Sequence, residues 1–158
     1  MRKQILIAAA LIAAPASAQL PFLAKRGAPP QVPVQSPIEV LRADFAAQSG
    51  GTTVYFSPGT AQLTVQARTI LTGQAAWLRQ HPEVAVRIEG RGDPTDTRDH
   101  ALALGAVRAA EARDYLILLG TPSAQVTTMT WGKERPGPPS ATTVVQDLGG
   151  APAVAAGS

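Results

Sequence analysis

Between Val84 and Trp131 the hydrophobic period of the chain changes twice, and that alternation limits the folds open to it. Val84, Val86 and Ile88 alternate with Ala85, Arg87 and Glu89, the two-residue period of a half-buried strand that ends at Gly90. Beyond a loop through Gly92 and Pro94, Thr97 is a suitable N-cap for a long helix. Its apolar members are Leu102, Leu104, Val107, Ala110, Leu116 and Leu119, and Gly120 is its stop. Residues 125–131 return to strand-forming types. Strand, long helix and strand in that order lay a helix against a sheet.

The preceding segment repeats the pattern. Val65, Ala67, Ile70, Leu71, Ala75, Trp77 and Leu78 recur mostly at three- and four-residue intervals behind a Thr64 cap, and Pro82 disfavours helix at His81. Residues 52–56 are β-branched and aromatic between glycines and Ser57-Pro58-Gly59, which predicts a first strand. Ser36, Pro37 and Glu39 form a capping-box start for a short helix to about Gln48. Residues 141–146 suit a fourth strand, although the proline-rich run before them weakens the signal. The expected class is α+β, a two-layer α/β sandwich in βαβαβ order with an optional last strand and the helices on one face. Trp77 and Trp131 are expected in its core.

The ends are of another character. Arg2 and Lys3, an apolar run from Ile5 to Ala14, and Ala16-Ser17-Ala18 have the layout of a cleavable signal peptide over residues 1–18, which predicts export to the periplasm. That run falls short of the roughly 20 apolar residues of a spanning helix, and no later segment approaches it. Residues 19–36 are proline-rich and predict a linker, residues 148–158 predict a flexible tail, and the domain is expected over 37–147. With no cysteine anywhere, disulfides, thiolate chemistry and an acylated cysteine are excluded. The net charge of +3 includes Arg2 and Lys3; without them 12 basic face 11 acidic side chains, a poor basis for nucleic-acid binding.

The chemistry of the chain concentrates in Asp93 and Arg108. An acceptor-only carboxylate in a loop, followed by a helical guanidinium able to bind a carboxylate bidentately, can hold the two charges of a zwitterion. The same pair can instead hold each other as an ordinary ion pair.

Six segments fall in one register without a gap: VYF at 54–56, AAWLRQHPEVAVRIEG at 75–90, Asp93, LALGAVRAA at 102–110, YLILLG at 115–120 and WGKERP at 131–136. In that register the chain resembles the OmpA-like peptidoglycan-binding domain, nearest in wording to the peptidoglycan-associated lipoproteins but without a lipidated cysteine. The resemblance implies a βαβαβ-type sandwich and noncovalent binding of peptidoglycan through the diaminopimelate of its stem peptide. Asp93 would receive the ligand's ammonium and Arg108 its carboxylate, linking the envelope to the wall, in association with the outer membrane or the wall itself. An envelope protein is a further candidate partner, and no cofactor is implied.

The departures from the family lie around the pair. Ser57-Pro58-Gly59 stands where relatives carry an aspartate, Arg91-Gly92 where they carry a histidine or similar polar residue, His100 in place of a tyrosine, and Ala101 in place of an asparagine. The family's arginine-rich last strand is not recognisable in residues 141–148. An OmpA-like domain kept as a structural or protein-interaction module, without wall binding, is therefore the alternative.

Other motifs imply less. Arg91-Gly92-Asp93 is an RGD tripeptide, too short to be specific, and Gly90 and Gly92 lack the remainder of a dinucleotide loop and suggest a turn. His81 and His100 lack metal-ligand spacing, and read as a helix-terminal and a surface residue. No nucleophile elbow occurs, and Glu89 with Asp93 gives no sign of a glycosidase cleft, so no enzyme is expected.

Overall fold

The computed structural model describes residues 36–146. The expected signal peptide, all but the last residue of the linker, and the tail lie outside the described residues. Three helices and four strands follow in the order α1 (Pro37–Gln48), β1 (Thr53–Tyr55), α2 (Val65–Gln80), β2 (Val86–Arg91), α3 (Arg98–Leu118), β3 (Val126–Gly132) and β4 (Ser140–Val145), with a 3-10 turn at Ser123–Gln125 before β3.

Local chemistry sets most of these boundaries. The Glu39 carboxylate accepts from the Ser36 N–H at 2.8 Å and its hydroxyl at 3.0 Å, fixing the start of α1. The Thr64 hydroxyl accepts from the Ala67 N–H at 3.1 Å, capping α2. α3 closes with Thr121 N–H to Leu116 C=O and Gly120 N–H to Ile117 C=O, a turn that needs the left-handed φ of 95° at Gly120. β2 begins at Val86, two residues later than the alternation suggests, and runs on through Gly90 to Arg91.

The sheet order is β1-β4-β2-β3, with β2 and β3 parallel and β4 antiparallel to both β1 and β2. The weakest strand of the sequence is thus central. Pro136, Pro138 and Pro139 stand in the turn before it, where no ladder N–H is needed, and Ala141, Thr143 and Val145 are buried along it. Its register sets Val145 beside Val86, Thr143 beside Ile88 and Ala141 beside Gly90 on the face that packs against the helices.

The core lies between that face and the helices, around Leu71, Trp77, Leu78, Val86, Ile88 and Leu116. Phe45 of α1 meets the Trp77 ring edge-on at 5.0 Å. His81, at the end of α2, stacks on that ring with centroids 3.8 Å apart. The Trp77 indole N–H donates to Asp44 at 2.8 Å, which satisfies the ring's polar edge.

Two sequence expectations are corrected here. Trp131 is not a core aromatic: it is only partly buried, and its indole N–H donates to Glu89 at 2.8 Å on the sheet face turned away from Val86 and Ile88. Gly90 and Gly92 do not make a turn, since Gly90 lies within β2 and neither has a positive φ. They exist for space. A Cβ on Gly90 would stand 1.8 Å from the Gly105 carbonyl oxygen, and one on Gly92 would stand 2.2 Å from that of Ala101. The buried stripe of α3 is accordingly Ala101, Gly105, Arg108, Ala109, Ala112 and Leu116, while Val107 is 50% exposed. Main chain rests on main chain along this seam.

Candidate functional site

The seam brings the end of β2 against the middle of α3, and the two singled-out residues stand on either side of it. Asp93 follows β2 by two residues, after the Gly92 N–H has been fixed to the Gly132 carbonyl at 2.9 Å. Arg108 projects from the buried stripe of α3. Their side chains meet, with Arg108 Nη2 2.7 Å from Asp93 Oδ1 and the two side chains 0% and 7% exposed.

A third segment completes the site. The Gly59 N–H donates to Asp93 Oδ2. Arg108 Nη2 donates to Ser57 C=O at 3.2 Å, Nε to Thr60 C=O at 2.8 Å and Nη1 to Arg91 C=O at 2.9 Å. Its guanidinium carbon also stands 5.5 Å from the centre of the Phe56 ring. One side chain thereby ties the loop after β1, the end of β2 and α3 together. Asp93 Oδ1 lies within ionic reach of Arg108 but has no well-aligned donor. The contact is ionic, leaving that oxygen's lone-pair directions without an aligned donor. Burial opposes ionisation of Asp93, and the Gly59 N–H and the Arg108 guanidinium more than offset it, so its carboxyl titrates below the usual range.

The rim is polar. His100 Nδ1 lies 2.6 Å from Asp96, Lys133 donates to the Asp96 carbonyl at 2.6 Å, and Arg98 donates to Glu134 at 2.8 Å. These contacts tie the start of α3 to the loop after β3. His100 is exposed, whereas Ala101 is fully buried beside Gly92. The RGD tripeptide is not presented, because Gly92 and Asp93 are both buried. Among the described residues no group of His, Asp and Glu is placed to hold a metal ion.

Sequence reasoning pointed to both charged side chains but missed the backbone groups of Ser57, Gly59 and Thr60 that complete the site. Main-chain donors and acceptors carry no residue-type signature. The one available signal was the turn-forming Ser57-Pro58-Gly59, in which Gly59 adopts a left-handed φ of 70°.

Residues 55–147 match the OmpA family, a span that includes β2, α3 and both members of the pair. The chain belongs to the OmpA family. Among its relatives, the peptidoglycan-associated lipoprotein of Mesorhizobium japonicum is 42% identical over 86 residues, covering 54% of this chain and 51% of that protein. That of Rhizobium meliloti is 40% identical over 86 residues, covering 54% and 49%. The chain spans about half the length of these curated relatives. Among solved structures, the peptidoglycan-associated lipoprotein of Burkholderia pseudomallei superposes with a TM-score of 0.59 at 31% identity, over 61% of this chain and 92% of that one. The OmpA-like domain of FopA1 from Francisella tularensis, at 17% identity, a TM-score of 0.54 and coverage of 59% and 70%, shares the fold.

Proposed function

We propose that this chain binds peptidoglycan noncovalently in the periplasm, taking the diaminopimelate end of a stem peptide between Asp93 and Arg108 and so linking the envelope to the wall. The observation that carries this reading is the buried carboxylate–guanidinium pair, in a family whose similar members are peptidoglycan-associated lipoproteins.

The chemistry is an exchange of partners. The pair presents one anion and one cation 2.7 Å apart, and a zwitterionic amino-acid end carries the complementary two. Inserting it replaces one internal ion pair by two intermolecular ones, with the ammonium at Asp93 and the carboxylate on Arg108, so no buried charge is left unpaired. No step in this reading breaks a covalent bond, so no catalytic residue is assigned. The signal-peptide pattern of residues 1–18 supports the periplasmic location.

The contacts of Arg108 with three carbonyls and Asp93 favour a second reading, in which the pair braces a module without wall affinity. Co-sedimentation with peptidoglycan sacculi separates the two. Wild type should sediment with the wall, Asp93→Asn much less, and Arg108→Lys less than its conserved charge suggests, because a bidentate fork becomes a point charge. Folding of each variant is checked by its amide spectrum. Equal sedimentation of folded wild type and Asp93→Asn would sink the first reading, as would the absence of saturable shifts near Asp93 on adding a diaminopimelate-containing peptide.

A further inference from the structure

The sheet face turned away from α2 and α3 carries a second charged cluster, outside the Asp93 site. The register places Arg87, Glu89 and Arg91 of β2 on that face. Glu89 accepts from Arg87 at 2.7 Å, from the Trp131 indole at 2.8 Å and from Arg135 at 2.9 Å, and the Arg135 guanidinium stacks 3.7 Å from the centre of the Trp131 ring. Glu89 is 8% exposed, while Arg87 and Arg135 remain 37% and 48% exposed. One saturated carboxylate therefore holds two half-open guanidinium groups.

This face is out of balance with the rest of the described residues. Residues 36–146 carry ten Lys and Arg against ten Asp and Glu. Three of the arginines but only one of the carboxylates stand in this cluster, leaving it at +2 and the remainder at −2. The cluster therefore complements an acidic partner.

Beside it lies an open strand edge. β3 is the last strand of the sheet, and among the described residues no strand pairs with its outer side; Arg113 of α3 donates to the Val126 carbonyl at 3.2 Å and the Thr130 hydroxyl accepts from the Gly132 N–H at 3.1 Å, so the stretch left for pairing is Thr127 to Trp131. Residues 126–132, VTTMTWG, contain neither proline nor charge, the usual protections of such an edge, and Thr127 and Thr128 are exposed. The single register shift, between Gly90 and Arg91, lies only at its far end.

We propose that the β3 edge is a docking site for an extended acidic segment of a partner protein, which adds as a fifth strand and lays alternate carboxylates beside Arg135 and Arg87. Strand addition supplies the main-chain hydrogen bonds, and the two-residue side-chain period supplies the selection for acidic residues at every second position. Arg135, stacked on Trp131 of β3 and bonded inward to Glu89, stands about one strand spacing, roughly 5 Å, from the added strand, within reach of a glutamate side chain. Arg87 lies one strand further in, about 10 Å away at the usual strand spacing, a gap that an arginine and a glutamate side chain bridge together. A second copy is the poorer occupant, because β3 against β3 would join two faces of +2 each.

The test is a titration of the full chain, followed by NMR, with a short capped peptide that alternates glutamate with valine. Its glutamine and lysine counterparts serve as comparisons. The glutamate peptide should give saturable shifts at the amides of residues 126–132 and at the side chains of Arg87 and Arg135. The glutamine peptide should bind about tenfold more weakly, the sum of two exposed ion pairs. Arg135→Gln, which keeps a donor for Glu89, should weaken the glutamate peptide by up to about fivefold. Equal binding of the lysine peptide, no saturable shift, or shifts confined to Gly59, Asp93 and Arg108 would each overturn the proposal.

Discussion

Replacing Arg108 by methionine tests whether its pair with Asp93 braces the fold. Methionine retains an unbranched apolar stem, so the change removes the guanidinium with little loss of packing. What remains is a carboxylate 5% exposed with the Gly59 N–H as its only donor, together with the Ser57, Thr60 and Arg91 carbonyls that Arg108 had served. Ser57 is exposed and Thr60 partly so, which lets water reach their carbonyls. The stranded carboxylate therefore dominates, and loss of one member of a buried ion pair costs about 3–5 kcal/mol. Asp93→Asn is the milder change, about 1–3 kcal/mol, because the guanidinium keeps three carbonyl acceptors. Adding Asp93→Asn to Arg108→Met should recover part of the loss, since no buried charge is left. Urea denaturation at neutral pH, followed by the fluorescence of buried Trp77, measures all four proteins of the cycle. With m near 1–3 kcal/mol/M, the Arg108→Met midpoint should fall by at least about 1 M. A loss below about 1 kcal/mol, or a double mutant no more stable than Arg108→Met alone, would refute the reasoning.

Three further outcomes follow from the same geometry. The Asp93 carboxyl titrates below its usual range, so its stabilising contribution is complete above the unfolded pKa of about 3.9 and is lost as pH falls through the lower folded value. Acid unfolding curves should accordingly be shallower below about pH 4 in Asp93→Asn, and an unchanged slope would contradict the shift. Gly92→Ala, whose Cβ would lie 2.2 Å from the Ala101 carbonyl oxygen and 2.5 Å from its Cα, should cost about 1–3 kcal/mol or more, because backbone cannot rotate aside; an unchanged melting temperature would argue that the seam yields. Thr64→Ala should cost about 1 kcal/mol through loss of the Ala67 cap, measurable as a small drop in the urea midpoint.

The features legible in the sequence are those set by local chemistry. The Thr64 and Thr97 caps, the Gly120 stop and the apolar spacing of α2 predict their elements within a residue or two, because each depends on neighbours in the chain. The central place of β4 was not legible, since its partners Thr53 and Val86 lie far away in sequence and the prolines before it obscured the strand. Nor was the buried face of α3. A helix that approaches a strand this closely must bury alanine and glycine, so Leu102, Leu104 and Val107 marked the flanks and Leu116 alone of the leucines marked the contact. Trp131 misled for a related reason: a large aromatic is usually core, but this one has a carboxylate and a guanidinium as its neighbours. At the site, Asp93 and Arg108 stood out as side chains, while the loop carbonyls that orient Arg108 have no signature in residue identity.

The glycine seam also bears on how much substitution such a site tolerates. Because Gly90, Gly92 and Gly105 seat one backbone on another, the distance from the end of β2 to Arg108 is set by covalent geometry and van der Waals radii. Substitutions at the exposed Ser57 and His100 then leave the two groups in place relative to each other. The three glycines themselves have no such latitude, and a single methyl there would be felt at Asp93 and Arg108 before any residue of the rim had changed.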